Sequence, residues 1–171
     1  TDPIHRISIV SRGMALGFTM SRPKTDKYQQ TESELKHEMA MMLAGRAAEK
    51  VVFNELTAGA SNDIERATML ARRMVVDFGM SILGPISLSQ TMENNAWGFS
   101  YGESGKLSEA MQGKVDEEIK KKIDVAYQLA EKIVKKYKKI LDKLSEKIIE
   151  VETIEQEEFE EIVGMEKGSF E

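Results

Sequence analysis

The front of the chain alternates apolar and polar residues with a period close to that of a β-strand. Residues 4–10 read IHRISIV, and their β-branched side chains favour an extended conformation. After a short turn, residues 14–20 (MALGFTM) predict a second strand that contains Gly17. A glycine inside a strand marks a close backbone approach or a bulge, and a plain hairpin edge explains the segment equally well. The pattern therefore predicts a small β-sheet near the N-terminus.

The next apolar pattern has the period of an α-helix. Thr31 and Glu34 have the spacing of a capping box, in which each residue satisfies a free backbone N–H group of the first turn. The apolar stripe that follows is Leu35, Met39, Met42 and Leu43. Behind it the small residues AGRAA, at 44–48, would let a second helix approach closely. The sequence predicts one long helix over residues 31–53, with its methionines in the core.

The second half of the chain is almost entirely helical in pattern. From residue 113 onward, apolar residues recur three or four apart among Lys, Glu and Asp. This spacing predicts one long amphipathic helix, or two helices joined near residue 137. The closing segment predicts a short helix that starts at Thr153 and ends at Gly164. The expected fold class is mainly α with a small β-sheet near the N-terminus.

The composition and net charge of the chain argue against several classes of function. The chain has 171 residues, a formal net charge of −5 and no cysteine. A net negative charge argues against nucleic acid as a partner, because phosphate binding needs a basic face. The absence of cysteine excludes thiolate zinc sites and cysteine nucleophiles. No stretch approaches the roughly 18 apolar residues of a membrane span, so we expect the chain itself to be soluble.

The two histidines cannot form the zinc motif H-E-x-x-H. That motif places two imidazoles one helical turn apart, on the same face of a helix. His5 and His37 are far apart in sequence. His37 and Glu38 begin the pattern, but Met41 occupies the position of the second histidine.

The segment TAGASNDIERATMLARRM, at 57–74, leaves two interpretations open. Asn62 and Asp63 stand where a helix begins after a turn, and both residue types are common helix caps. Alternatively, the carboxylate of Asp63 is placed at the helix start to bind a cation. A second helix that continues to about Phe78, with Gly79 at its end, fits either interpretation.

Taken together, several segments resemble one protein family. The series HRISIV-SRGMALGFTM, DKY, LAGRAAEKVVF, TAGASNDIERAT-ARRMV and FGMS-LGP occurs in the order found in the peptidase domain of the FtsH family. These are membrane-anchored, ATP-dependent zinc metalloproteases of bacteria, mitochondria and chloroplasts. The C-terminal half resembles the family more loosely, through DEEIKKKIDVAYQLAEKIV and VETIEQEEFEEI.

The resemblance implies a helical zinc-peptidase domain and assigns a role to part of it. In the family, two histidines of an H-E-x-x-H helix and an aspartate from a later N-D-x-x-x-A segment hold the zinc ion. Asp63 is then a zinc ligand, Asn62 a supporting residue, and Glu49 a structural residue. An unfolded polypeptide substrate is expected to add as a strand along an exposed sheet edge, for which the candidate residues are Leu16, Gly17, Phe18 and Thr19.

The resemblance also implies a division of the chain and of the parent protein. Residues 1–85 match the zinc-peptidase core, residues 86–112 a loop-rich connection, and residues 113–171 the long C-terminal helices. The H-E-x-x-H helix, the ATPase module that uses ATP and Mg²⁺, and the membrane segments are expected upstream in the parent. We expect a parent homo-hexamer on a membrane, with this domain in the bacterial cytoplasm or an organelle compartment. The isolated chain is then inactive; the alternative is a non-catalytic hexamerisation scaffold or an inactive protease-like domain.

Overall fold

The computed structural model describes residues 4–10, 18–21, 29–88 and 107–164. The chain divides into two compact units, one formed by residues 1–29 and 135–171 and the other by residues 30–134. The predicted fold class, mainly α with a small antiparallel sheet that includes N-terminal strands, is confirmed. Among the described residues, none of the helices combines the length and the apolar character needed to cross a membrane.

Helix α1, Glu32–Phe53, begins as predicted with a capping box. The Glu34 backbone N–H donates to Thr31 Oγ1 at 3.3 Å, and the Thr31 N–H donates to the Glu34 carboxylate at 2.9 Å. The helix ends at Asn54, which has a left-handed backbone with φ 52°. Asn tolerates this conformation better than most residues, so the chain can turn sharply there.

Helix α2, Ser61–Val76, follows a single 3-10 turn, Ala58–Ala60. Beyond its last residue the chain reverses at Gly79, where φ is +63°. The next backbone N–H, that of Met80, donates to the carbonyl of Met74 at 2.8 Å. The prediction that α2 continues to about Phe78 and ends at Gly79 is wrong by two residues: Asp77 is the C-cap, and Gly79 lies in the reversal that follows.

The core of the unit formed by residues 30–134 is built on alanines. Ala47 of α1 and Ala67 and Ala71 of α2 have no exposed surface. Because these side chains are single methyl groups, the two helix backbones pack closely, as the AGRAA segment predicted. Larger side chains fill the core around them: Leu35, Met39, Leu43, Met74, Val75, Val115 and Ile119.

The C-terminal helical segment contains two helices rather than one. Helix α3 is Glu109–Lys136 and helix α4 is Lys138–Val151, with the break at Tyr137 where the sequence pattern allowed it. The prediction that the closing helix starts at Thr153 is wrong. Helix α5 is Gln156–Val163, and Thr153–Glu155 form strand β3. Helix α5 does end at Gly164, whose φ is 72°.

The three strands form an antiparallel sheet in the order β2-β1-β3, with β1 Ile4–Ser8 in the centre and β2 Phe18–Ser21 on one side. Ile7 pairs with Thr19 on β2 and with Ile154 on β3. Ile154 is 1% exposed, so it anchors the sheet in the core of its unit. An ion pair at 2.7 Å joins Arg6 to Glu155 across the same pair of strands.

Candidate functional site

Asn62 and Asp63 lie in the first turn of helix α2, inside the helix rather than at its cap. The N-cap residue is Ala60, and it makes no side-chain capping hydrogen bond. The helix therefore starts about two residues earlier than the sequence indicated. The interpretation of Asn62 or Asp63 as the N-cap is wrong, because the preceding 3-10 turn already carries the chain into a helical conformation.

The carboxylate of Asp63 is accessible and weakly engaged. Its side chain is 50% exposed, and its ion pair with Arg66 Nη1 has a length of 3.9 Å. This contact joins residues three apart on an exposed helix surface, where such pairs contribute little to stability. A carboxylate near a helix N-terminus also interacts favourably with the helix dipole. The carboxylate oxygens of Asp63 are thus accessible to a cation, and no other described group binds them tightly.

A zinc site needs more than this one carboxylate. Catalytic zinc usually takes three protein ligands and a water, with histidine prominent among them. Within the described ranges, no group of three or more His, Asp or Glu side chains is placed to hold a metal ion. His37 lies on α1, in the unit that contains Asp63, and its side chain is exposed. His5 lies on β1, in the other unit. The described residues therefore fit one ligand of a zinc site and do not fit a complete one.

Glu49, near the end of α1, is hydrogen-bonded to Thr57 in the segment that precedes α2. Its two carboxylate oxygens accept hydrogen bonds from Thr57, at 2.7 Å from the side-chain Oγ1 and at 3.1 Å from the backbone N–H. These bonds, first the one from the hydroxyl, lower the pKa of Glu49, and the nearby Arg46 adds a smaller effect in the same direction. The carboxylate of Glu49 is thus engaged by the turn that leads into α2, which suits a structural role.

The candidate substrate strand is only partly within the described residues. Phe18 and Thr19 lie on β2, and Leu16 and Gly17 lie outside the described residues. In the described sheet β2 is an outer strand, paired with β1 on one side. Thr19 is exposed and Phe18 is half-buried. Asn62 and Asp63 belong to the other unit of the chain.

Comparison with known protein families shows to which family the chain belongs. The model of peptidase family M41 matches residues 1–162 of the chain. The chain belongs to peptidase family M41. This confirms the predicted resemblance, because the match extends from the N-terminal strands through α2 to the C-terminal helices.

Relatives of this M41 chain include longer proteins named ATP-dependent zinc metalloprotease FtsH. The protein from Pseudothermotoga lettingae is 45% identical over 169 residues, which cover 98% of this chain and 27% of that protein. The protein from Thermotoga maritima is 44% identical over 167 residues, covering 96% of this chain and 27% of that protein. The protein from Rubrobacter xylanophilus is 42% identical over 163 residues, covering 95% of this chain and 25% of that protein. The chain thus spans about a quarter of these relatives.

Thr57 is a further residue of this region, and the sequence pattern did not predict its role. Its hydroxyl donates to Glu49 and accepts the backbone N–H of Gly59 at 3.2 Å, so it caps the 3-10 turn before α2. A threonine two residues before a glycine at the start of a turn is a recognisable capping signal. The other partner, Glu49, is eight residues away, and the local pattern does not identify it.

A groove of about 640 Å³ lies in the same unit of the chain. Its walls come from the start of α1, the middle of α3 and the chain after α2, and Asp63 is not among its lining residues. The carboxylate of Glu118, 10% exposed, pairs with Lys121 at 3.3 Å in its wall. Lys122 in the same wall pairs with Glu32 at 2.9 Å. The first of these pairs lies within α3, and the second joins α3 to α1.

Proposed function

We propose that this M41 chain is part of the peptidase domain of a membrane-anchored, ATP-dependent zinc metalloendopeptidase that degrades unfolded or membrane proteins. Membership of family M41 and the names of the relatives support this proposal. Asp63 supplies one ligand to zinc and Asn62 supports it. The remaining ligands and the general base come from another part of the parent protein.

The observation that carries the proposal is the position of the Asp63 carboxylate. It projects from the first turn of a 16-residue helix, half exposed, with one long contact to Arg66 among the described residues. It is not used as a helix cap. Oxygen from a carboxylate is an accepted zinc ligand, and an ion of higher charge would displace the weak pair with Arg66.

The substrate part of the proposal concerns β2. An extended polypeptide adds as a strand to an exposed sheet edge through main-chain hydrogen bonds, so binding depends little on side-chain identity. The outer position of Phe18 and Thr19 in the described sheet supports this use. Leu16 and Gly17 continue the same proposed strand. Tolerance of sequence suits a peptidase that receives many unfolded chains.

The rest of the proposed parent is inferred from the family resemblance and the relatives' names. ATP and Mg²⁺ act in an ATPase module outside this chain, and the peptidase domains assemble as a homo-hexamer. The parent lies on a membrane, with this domain in the bacterial cytoplasm or in an organelle compartment. Residues 1–171 alone are proposed to be inactive; in support, no group of three or more His, Asp or Glu side chains among the described residues is placed to hold a metal ion.

The test compares the complete gene product with residues 1–171 alone. Zinc content is measured by elemental analysis and peptidase activity by cleavage of unfolded casein. We expect Asp63→Ala in the complete protein to lose both stoichiometric zinc and cleavage. Glu65→Ala is the matched control, because Glu65 is an exposed acidic residue on the same helix, and it should retain both.

Three results separate the alternatives. Zinc and cleavage that survive Asp63→Ala would show that Asp63 is not a ligand. Stoichiometric zinc in residues 1–171 alone would contradict the single-ligand interpretation. A complete protein that assembles as a hexamer but neither binds zinc nor cleaves casein would favour the non-catalytic scaffold.

A further inference from the structure

The segment that connects α1 to α2 is hydrogen-bonded to the Glu49 carboxylate. Both oxygens of the Glu49 carboxylate accept hydrogen bonds from Thr57, at 2.7 Å and 3.1 Å. Hydrogen bonds to an ionised carboxylate are stronger than those between neutral groups. The pair joins residues eight positions apart, across the left-handed residue Asn54.

Further hydrogen bonds connect Thr57 to the start of α2. Thr57 Oγ1 accepts the Gly59 N–H at 3.2 Å and is the N-cap of the turn Ala58–Ala60. The N–H of the next residue, Ser61, donates to the Ala58 carbonyl, and α2 starts there without a side-chain cap of its own. An α-helix leaves the first four N–H groups without helical partners, so its start depends on what precedes it. Here the preceding turn is held by Thr57 and, through it, by Glu49.

We infer that Glu49 and Thr57 are positioning residues that fix where α2 begins and thereby hold Asp63 in place. Asp63 follows Thr57 by six positions, with only the 3-10 turn and the first turn of α2 between them. Neither Glu49 nor Thr57 needs to contact a metal or substrate for this role. The inference rests on the proposed function only in its last step, that Asp63 is a zinc ligand.

The first test needs no metal and uses residues 1–171. Amide hydrogen exchange is measured by NMR for the wild type, Glu49→Ala, Thr57→Val and Thr57→Ser. Thr57→Val removes the hydroxyl at nearly constant shape, and Thr57→Ser keeps it. Loss of one or two hydrogen bonds should speed exchange at Gly59 and in the first turn of α2 by roughly threefold to tenfold in Glu49→Ala and Thr57→Val.

The controls separate a local effect from loss of the fold. Thr57→Ser should exchange as the wild type does, and so should Glu117→Ala, which changes an exposed glutamate on α3. Core amides such as that of Ala71 should keep their protection in every variant. If Glu49→Ala speeds amide exchange throughout the unit, the variant Glu49→Gln is used in its place. The glutamine side chain keeps the volume of glutamate and one hydrogen-bond acceptor. Unchanged exchange at Gly59 and the first turn of α2 in both Thr57→Val and the Glu49 variant would overturn the inference.

The second test measures zinc affinity in the complete gene product by competition with a chromogenic chelator. Loss of a residue that orients a metal ligand typically weakens binding by 10- to 100-fold, so we expect Thr57→Val to bind zinc at least about tenfold more weakly than Thr57→Ser. Equal affinities of these two variants would overturn the link to Asp63. Asp63→Ala with unchanged zinc affinity would instead refute the proposed function and leave the exchange result to decide the role of the pair.

Discussion

The same substitution, glycine to alanine, should have opposite effects at two positions of one unit. Gly113 lies in helix α3, and a Cβ built there meets nothing within 4 Å. Gly79 has a φ of +63°, and a Cβ there would lie 3.1 Å from Pro85 Cα and 3.3 Å from the Gly84 carbonyl oxygen. Both neighbours of Gly79 are backbone atoms, which cannot move aside as a flexible side chain can.

The expected magnitudes follow from these surroundings. In a helix interior, alanine is favoured over glycine by roughly 0.5–1 kcal/mol, so Gly113→Ala should stabilise the unit by about that amount. At Gly79, the left-handed backbone costs alanine roughly 1–2 kcal/mol and the crowding adds to this, so we expect a loss of about 2–3 kcal/mol. For a chain of this size, a change of 1 kcal/mol shifts the midpoint of thermal unfolding by roughly 2–4 °C.

Thermal and urea unfolding followed by far-UV circular dichroism measure both changes, with amide exchange at Ala71 assigning them to the unit of residues 30–134. Gly45→Ala is the matched control. It places the same methyl group on α1 at a position with nothing within 4 Å, and should behave like Gly113→Ala. The reasoning is refuted if Gly79→Ala is as stable as the wild type, or if both open glycines lose stability when replaced.

Three further predictions concern the sheet unit and Glu49. Ile154→Ala should destabilise the sheet by about 2–4 kcal/mol, because the side chain is 1% exposed. Faster hydrogen exchange of the Ile7 backbone amide would report this loss. The control Ile149→Ala, at a position that is 72% exposed, should change the stability little. Glu152→Gly should stabilise the same unit by about 0.5–1 kcal/mol in urea unfolding, since Glu152 has a φ of 59°; no gain would mean that the left-handed residue is unstrained. The pKa of Glu49 is lowered on folding, so its stabilisation is present at neutral pH and is lost as the pH falls from the ordinary value of 4.5 through the lowered folded value. Glu49→Gln should therefore reduce the loss of stability over that acid range in pH-dependent urea unfolding, and an unchanged pH dependence would contradict the assignment.

Elements with local signals were predicted well. The capping box of Thr31 and Glu34 and the apolar stripe behind it lie within a few residues of one another, and α1 begins where they indicate. The same is true of Gly164, which ends α5 in the left-handed conformation that glycine favours. Family membership also followed from short segments in order along the chain.

The errors occurred where a remote segment changes the local preference. Thr153 begins a helix by its sequence pattern but lies in β3, since Arg6, Ile7 and Ser8 of β1 offer a sheet edge for it to pair with. The Ser8 and Thr153 hydroxyls are 2.9 Å apart although the residues are separated by 145 positions. A local pattern cannot register such a pairing.

The start of α2 shows the same limit at the candidate site. The sequence by itself determined that a helix begins close to Asn62 and Asp63 and, through the family motif, that Asp63 is a candidate ligand. Only the tertiary structure decided that the helix begins at Ser61 and that Asp63 is not its cap. The physical reason is the hydrogen bonding of Thr57 to Glu49 on α1, because it holds the preceding turn and frees the Asp63 carboxylate from any capping role.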